Sequence, residues 1–161
     1  MGWLKQEPMY LIMKWQEASR KTDYYKYRID HTPSIIDKIK YLYFIRRRNV
    51  LGNRLGIELN TIHVGKGLFI YHGGGGIVAN GHWGRNCHLH GNNCIGNAGP
   101  HDDRCPTLGD DVMVGVGAKI IGPVKVANRV RIAAGAVVVH DILEEGCTVA
   151  GVPATIVKHE L

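Results

Sequence analysis

The chain has 161 residues, enough for one domain with a sizeable core or for one domain with a helical extension. Its net charge of +6 favours an anionic partner, such as a phosphorylated small molecule, a nucleic acid or a membrane surface. No apolar stretch approaches the roughly 18 residues that span a bilayer, and the start lacks a signal-peptide hydrophobic region. We therefore expect a soluble, cytoplasmic protein whose four cysteines are free thiols. No nucleic-acid-binding signature is present, so we expect no nucleic-acid partner.

Residues 1–52 are predicted to form a helical N-terminal extension, because they hold most of the tyrosines and lysines and few glycines. We expect two helices, near residues 3–20 and 33–49. Thr32 is the expected N-cap of the second helix, and Pro33 its first helical residue.

The second predicted helix has aromatic residues over 41–44 and then the basic run 46–48. This pattern fits a membrane-surface helix. It also fits a helix that packs on a neighbouring element and has a solvated basic end, which complements the helix dipole. We favour the packed helix and expect no membrane contact.

Aliphatic residues recur at every sixth position through the second half of the chain, a period that neither a helix nor an ordinary strand has. The regular run is Leu108, Val114, Ile120, Val126, Ile132 and Val138, and an earlier run is Ile77, Trp83, Leu89 and Ile95. A step of six predicts a chain wound into flat-sided coils, with one short strand and one turn on each side. We assign residues 57–157 to this coil.

The step of six is interrupted between Ile95 and Leu108, which are 13 positions apart. Residues 97–107 are polar and rich in glycine and proline, so we predict a loop that leaves the coil there. Loops carried on rigid scaffolds often hold functional residues.

The coil region resembles the hexapeptide-repeat acyltransferases, and among them the serine acetyltransferase-like O-acetyltransferases. The residues that carry this resemblance, in chain order, are Gly65-Lys66-Gly67, Tyr71-His72, Ile95-Gly96-Asn97, Cys105-Pro106, the segment 114–122 and the segment 150–154. The resemblance implies a mainly β fold, a left-handed parallel β-helix with a short α-helical N-terminal segment. It also implies a homotrimer with sites between subunits, with acetyl-CoA as co-substrate and no metal requirement.

The resemblance implies a catalytic role for His72, which precedes a run of four glycines and aligns with the catalytic histidine of the family. A neutral imidazole suits a general base near pH 7. The orienting acid of the family lies about one coil upstream, and Glu58 is our candidate for it. Either Glu58 orients His72 or it is a solvated residue on the rim.

Candidate acceptor-binding residues are Tyr71, Arg104 and Cys105. In the serine enzymes an acidic residue stands where Tyr71 does, and a second histidine stands where Cys105 does, whereas Arg104 matches. A guanidinium there suits an acceptor carboxylate or phosphate. These departures lead us to favour a saccharide acceptor of polysaccharide biosynthesis, with a true serine O-acetyltransferase of cysteine biosynthesis as the alternative.

The resemblance also implies cofactor contacts along the coil. Small residues suit a slender pantetheine arm, basic residues suit the phosphates of CoA, and both also suit ordinary packing or a solvated face. The candidate residues are Gly96, Asn97, Val116, Gly117, Ala134, Lys119 and Lys158.

Two other classes of function remain open. The segment Cys87-His88-Leu89-His90, with Cys94, His82 and His101, invites a metal-dependent enzyme of the carbonic-anhydrase type, a class that uses the same fold. The His-x4-His pair of those enzymes is absent here, and Cys87 falls on an inward slot of the repeat, so we expect no metal site. The other class is a non-catalytic β-helix that serves as an assembly module.

Overall fold

The computed structural model describes residues 7–72, 75–99 and 101–159. The chain divides into two compact units, residues 1–57 and 58–161. The first unit is helical. The second is a parallel coil of short strands.

The helical unit consists of α1 (Glu7–His31) and α2 (Ile35–Leu55). Helix α1 packs on α2 through a face that includes the buried side chains of Ile12, Trp15 and Ala18. Tyr25 stacks on Phe44 with ring centroids 5.7 Å apart. The buried Asp37 forms an ion pair of 3.1 Å with Arg28. These contacts join the two helices into one hairpin.

The predicted helix boundaries are wrong in three places: the end of α1, the N-cap of α2, and the end of α2, which lies at Leu55 and not near residue 49. Helix α1 continues to His31 instead of ending near residue 20, and i,i+4 pairs such as Lys21–Glu17 and Lys26–Asp30 support its polar surface. Thr32 belongs to the end of α1, because its amide and hydroxyl both donate to the carbonyl of Arg28. Ser34, with extended dihedral angles, is therefore the N-cap of α2.

Helix α2 runs through Gly52 and ends at Leu55, where Gly56 adopts the left-handed conformation and donates its amide to the carbonyl of Gly52. A Cβ at Gly52 would lie 2.6 Å from the carbonyl oxygen of Ile57 and 3.2 Å from the indole nitrogen of Trp15. The glycine thus permits a close approach inside the helix and does not mark its end.

The described residues of the β-helical part form fourteen strands, which are arranged in three sheets. The strands are β1 (Ile57–Leu59), β2 (Phe69–Ile70), β3 (Ile77–Ala79), β4 (His82–Trp83), β5 (His88–Leu89), β6 (Asn93–Gly96), β7 (Thr107–Leu108), β8 (Met113–Val114), β9 (Lys119–Ile121), β10 (Lys125–Val126), β11 (Arg131–Ile132), β12 (Val137–Val138), β13 (Thr148–Gly151) and β14 (Ala154–Lys158). The first sheet has the order β1-β3-β6-β9-β12, the second β10-β7-β4 and the third β14-β13-β11-β8-β5-β2. Neighbouring strands in these sheets run parallel, as β3 and β6 do, whereas β13 and β14 are antiparallel.

Strand pairing reproduces the repeat in the sequence. Regular coils pair residues 18 apart, as in Lys125 with Thr107 and Arg131 with Met113. Across the interruption the offset rises to 25, as in His82 with Thr107. The seven added residues lie between β6 and β7, the interval in which the sequence predicts a loop.

The core is the column of inward side chains that the step of six selects. All ten hexad residues named above are buried, and so are the small or β-branched residues four positions later, such as Val112 and Ala118. One inward side chain, that of Asn93, is polar. Its Nδ2 donates to the carbonyl of Gly115, and its Oδ1 accepts from the backbone amide of Gly91. The buried amide therefore ties two neighbouring coils together.

Candidate functional site

One corner of the coil carries His72 and several other candidate residues. The chain turns from the third sheet into the first at corners that include the described residues 71–72, 75–76, 90–92, 115–118 and 133–136, which we name the histidine corner. Gly73 and Gly74, the start of the glycine run, lie outside the described residues. Gly75 and Gly76 have φ values of 83° and 79°, a region that glycine enters without a steric penalty.

The strand register decides which residues stack at this corner. Phe69 pairs with His88, His88 with Met113, and Met113 with Arg131. If the same register is continued three residues beyond these pairs, into the turns, His72 is level with Gly91, Val116 and Ala134 of the successive coils. The amide of Gly117 donates to the carbonyl of Gly91, and the amide of Gly135 donates to that of Val116. The candidate base and two of the candidate cofactor contacts therefore share one edge of the coil.

Tyr71 lies in a cluster of rings beside His72. Its ring stacks on His90 at 4.3 Å between centroids and meets Phe69 edge-on at 4.7 Å. A hydrogen bond of 3.2 Å joins its hydroxyl to Nδ1 of His88. The rings of Tyr71 and His72 are 6.5 Å apart, and His72 is exposed. Two histidines thus hold the aromatic residue that precedes the candidate base.

His90 is held in a partly buried position. Burial lowers the pKa of its imidazole below the usual range, and the charges of His88 and His72 act in the same direction. Its Nε2 atom is buried and has no hydrogen-bond partner among the described residues. A protonated ring would place a charge in these surroundings, so the arrangement favours neutral His90.

Glu58 lies exposed on β1, at the outer face of the first sheet. Its strand neighbours β3, the strand that follows His72 and the glycine run. Within the described residues, no hydrogen bond or ion pair joins Glu58 to His72.

A second corner carries the other acceptor candidates. The chain turns from the first sheet into the second at corners that include the described residues 80–81, 97–99, 101–106, 122–124 and 139–141, which we name the loop corner. Arg104 binds Asp102 through two bonds, Nε to Oδ1 at 2.8 Å and Nη2 to Oδ2 at 2.9 Å. These bonds hold the pKa of the Asp102 carboxyl below its usual range. Cys105 lies half-buried beside them, with its thiol 3.6 Å from the carbonyl oxygen of Asp103.

The histidine corner and the loop corner lie at opposite ends of the strands of the first sheet, the first before each strand and the second after it. Strand β6 crosses that sheet between them with four residues, which span about 13 Å at the usual rise per residue. Within one chain, the structure therefore does not bring Arg104 and Cys105 together with Tyr71 and His72.

The cofactor candidates are divided between the two corners. Val116 and Ala134 are exposed at the histidine corner, whereas Asn97, which follows Gly96, is exposed at the loop corner. A Cβ built on Gly96 or on Gly135 would meet nothing within 4 Å, so both positions border open space that suits a slender ligand. The amide of Gly117 is already bonded within the coil. Lys119 on β9 and Lys158 on β14 are exposed.

The cysteines and histidines of 82–94 do not assemble as a metal centre. Over the part of the chain that the structure describes, no group of three or more His, Cys, Asp or Glu residues could hold a metal ion. The Cys87 side chain is in the core, and burial raises the pKa of its thiol to about 11. His88 and His90 instead contact Tyr71.

His88 and His90 are the candidate site residues that sequence reasoning missed, because it considered them only as metal ligands. The pairing of Phe69 with His88 is offset by 19 residues, one coil plus one residue. The regular offset of 18, extended upstream, pairs Tyr71 with Leu89, so the extra residue in this coil hid the contact between Tyr71 and His90 from sequence reasoning.

A hexapeptide coil with an exposed histidine at a glycine-rich corner defines a class, the hexapeptide-repeat transferases. The family model "Bacterial transferase hexapeptide (six repeats)" matches residues 105–140. A serine acetyltransferase of Helicobacter pylori (strain J99) is 36% identical over 137 residues, which cover 82% of this chain and 78% of that protein.

Among solved structures, the serine acetyltransferase of Neisseria gonorrhoeae matches with a TM-score of 0.65 and 30% identity, over 89% of this chain and 53% of that one. A serine acetyltransferase solved in complex with CoA matches with a TM-score of 0.62 and 26% identity, over 89% and 55% of the two chains.

The chain belongs to the serine acetyltransferase family of hexapeptide-repeat proteins. The predicted left-handed parallel β-helix with an N-terminal helical segment is confirmed. The chain spans only about half the length of several of the curated relatives that it matches, such as the serine acetyltransferase of Synechococcus elongatus, of which it covers 43%. Within the described residues, no helix is long and apolar enough to cross a membrane.

Proposed function

We propose that this protein is an acetyl-CoA-dependent O-acetyltransferase in which His72 is the general base. The observation that carries the proposal is the common corner of His72, Val116 and Ala134, in a chain whose relatives are serine acetyltransferases. Acetyl-CoA, when bound, supplies the acetyl group as a thioester. Val116, Ala134 and the open space beside Gly135 are the proposed contacts of its slender arm.

His72 accepts the proton of the acceptor hydroxyl as that oxygen attacks. Its exposure at the corner gives a substrate access to the ring, and a neutral imidazole is a suitable base near pH 7. Glu58, on the adjacent strand edge, is the proposed positioning residue for this ring. Backbone amides of the glycine-rich turn are suited to stabilise the negative charge that develops on the carbonyl oxygen.

L-serine is the acceptor that the relatives favour over the saccharide that we expected from the sequence. Arg104 is suited to bind the carboxylate of serine, because its guanidinium already forms a bidentate pair with Asp102. The two carboxylates would compete for the same donors, so serine binding includes release or sharing of Asp102.

One observation favours a saccharide as the second candidate acceptor. The residue before His72 is the aromatic Tyr71, in a cluster with Phe69, where the serine enzymes have an acidic residue. An aromatic surface suits the apolar face of a sugar ring, whereas it offers no counter-charge to the amino group of serine.

We propose a homotrimer with sites between subunits. Within one chain, Tyr71 lies at one end of the strands of the first sheet, and Arg104 and Cys105 lie at the other end. The loop corner of one subunit would then supply Arg104 and Cys105 to the histidine corner of its neighbour. Gly96, Asn97, Lys119 and Lys158 are proposed as further contacts to acetyl-CoA from either side of that groove.

The proposal is tested by release of free CoA thiol from acetyl-CoA with L-serine, simple sugars or nucleotide sugars as acceptors. We expect His72→Ala to lower kcat by about 10²–10⁴-fold with little change in acetyl-CoA binding, because only proton transfer is lost. His31→Ala, which removes an exposed histidine of α1, is the matched control and should keep native activity.

Full activity of His72→Ala would show that another group is the base. A native protein that neither binds acetyl-CoA nor releases thiol with any acceptor would support the assembly-module alternative. To separate the acceptors, Tyr71→Ala should raise KM for a sugar while KM for acetyl-CoA stays unchanged. Activity with serine alone would remove the saccharide candidate.

A further inference from the structure

The net positive charge of the protein resides in its helical unit. Residues 1–57 contain 12 Lys and Arg against five Asp and Glu, a net charge of +7. Residues 58–161 contain eight against nine, a net charge of −1. The β-helix, which carries the proposed acetyl-transfer site, therefore contributes no excess positive charge. An anionic partner other than acetyl-CoA is therefore to be sought at the helices.

Helix α2 has two apolar faces, and only one of them packs on α1. The packed face includes Asp37, Phe44 and Gly52. The other face follows the helical spacing over about 23 Å and is 57–72% exposed at each apolar position. We name this face the α2 stripe, and its residues are Ile35, Ile36, Ile39, Leu42, Tyr43 and Val50.

Cations accompany the α2 stripe. At helical spacing Arg46 lies on the stripe itself, between Leu42 and Val50, whereas the amine of Lys40 lies 5.4 Å from the ring centroid of Tyr25 on α1. Lys38, Lys40, Arg46, Arg47 and Arg54 are all exposed on the same helix. The one acidic residue of α2, Asp37, is buried and bound to Arg28. Every exposed charge on α2 is thus positive, and the stripe is an apolar surface with a wholly cationic border.

Because this second apolar face is exposed, we depart from the expectation of no membrane contact and propose that the α2 stripe docks on an anionic lipid surface. Its aliphatic side chains enter the boundary between headgroups and acyl chains, and the bordering Lys and Arg contact lipid phosphates. Tyr43 suits this depth, because its ring is apolar and its hydroxyl remains among polar headgroups. The helix lies in the plane of the surface and does not cross it.

The charge of the border argues against a second copy of the same helix as the occupant. Packing α2 on α2 would bring two cationic borders together with no exposed acid on either helix to offset them. An anionic surface offers a counter-charge to these cations, and each basic residue near such a surface strengthens binding.

The test is sedimentation of the full chain with extruded vesicles, either of phosphatidylcholine alone or of equal parts phosphatidylcholine and phosphatidylglycerol. We expect binding to the mixed vesicles that weakens in high salt. Ile39→Ser with Leu42→Ser should reduce the apparent affinity about tenfold or more through lost apolar insertion. Arg46→Ser with Arg47→Ser should reduce it by a similar factor and flatten the salt dependence.

The matched control is Leu143→Ser with Lys66→Ser, which removes an equally exposed leucine and a lysine from the β-helix. It should bind vesicles as the native chain does. Far-ultraviolet circular dichroism verifies that each variant keeps its helices. Acetyl transfer to a free acceptor without lipid should be unchanged in the α2 variants, so failure of the docking proposal is separable from failure of the proposed function.

Three outcomes would overturn the docking proposal. They are absence of sedimentation with the mixed vesicles, equal binding by native protein and folded α2 variants, and a lower assembly mass of the α2 variants in lipid-free solution. The last outcome would assign the stripe to a contact between copies of the chain.

Discussion

The imidazole of His90 is confined between Tyr71 and the next turn of the coil. Its ring stacks on Tyr71, its Nε2 atom is buried, and its pKa is lowered mainly by burial. The unfolded chain therefore binds a proton at this residue at a higher pH than the folded chain does. As the pH falls below the ordinary histidine value of 6.5, the unfolded state gains stability from His90 and the native state does not.

We predict that the stability of the native protein falls more between pH 7.5 and pH 5 than that of His90→Gln. The glutamine keeps a polar side chain at the position but cannot gain a proton. Urea denaturation at fixed subunit concentration measures the free energy of unfolding, and NMR titration of the ring follows protonation directly. Parallel loss of stability in both proteins would show that His90 does not carry the effect.

The corners of the coil pack so closely that some of them have no room for a Cβ atom. At Gly84 a Cβ would lie 2.5 Å from the carbonyl carbon of Gly109 and 2.6 Å from the amide of Asp110. Gly84 also donates its amide to the carbonyl of Leu108, so it cannot move away without the loss of a bond between coils. Arg85 and Asp110 form an exposed ion pair of 2.7 Å over the same turn.

Gly84→Ala is expected to destabilise the β-helix by about 1–3 kcal/mol, because backbone atoms of the next coil must shift. Gly99→Ala is the matched control, since a Cβ there meets nothing within 4 Å and should change stability by less than about 0.5 kcal/mol. Thermal and urea unfolding of both variants measures the difference. A Gly84→Ala protein as stable as the control would mean that the coil spacing adapts freely.

The two corners that carry the candidate site residues are separated by the length of the strands of the first sheet. His72 precedes strand β3 at one end of the strands, and Arg104 follows strand β6 at the other end. A single site that uses both residues therefore requires two subunits, because the strands between the corners are rigidly paired. Because of this separation, the proposed trimer can be tested by mixing two variants that each lack one of these residues.

Neither His72→Ala nor Arg104→Ala alone is expected to retain more than a small fraction of native activity. Unfolded together in equal amounts and refolded, they should recover about a quarter of it, because one in four shared sites then has both native residues. Light scattering should give three times the 17.8 kDa chain mass. A mixture as inactive as its components would place both residues in one subunit or exclude Arg104 from the site.

Much of the β-helix was predictable because its repeat is local. Hexad residues such as Ile120 and Val138 are buried because each lies six positions from the next inward residue, and this spacing can be recognised within a short stretch of sequence. The break between Ile95 and Leu108 likewise predicted the extra residues of the loop corner. The end of α1 was not predictable, since polar i,i+4 pairs extend it beyond its apolar pattern.

The sequence by itself determined the class of fold, the inward column of side chains and the choice of His72, because period and motif are properties of the chain alone. Only the tertiary structure decided which residues meet. Coil stacking brings His88 and His90 to Tyr71, and the length of the strands separates Arg104 from His72. Packing on α1 uses one face of α2 and leaves an apolar stripe with a cationic border exposed. Such relations depend on strand register and helix rotation, which a one-dimensional pattern does not contain.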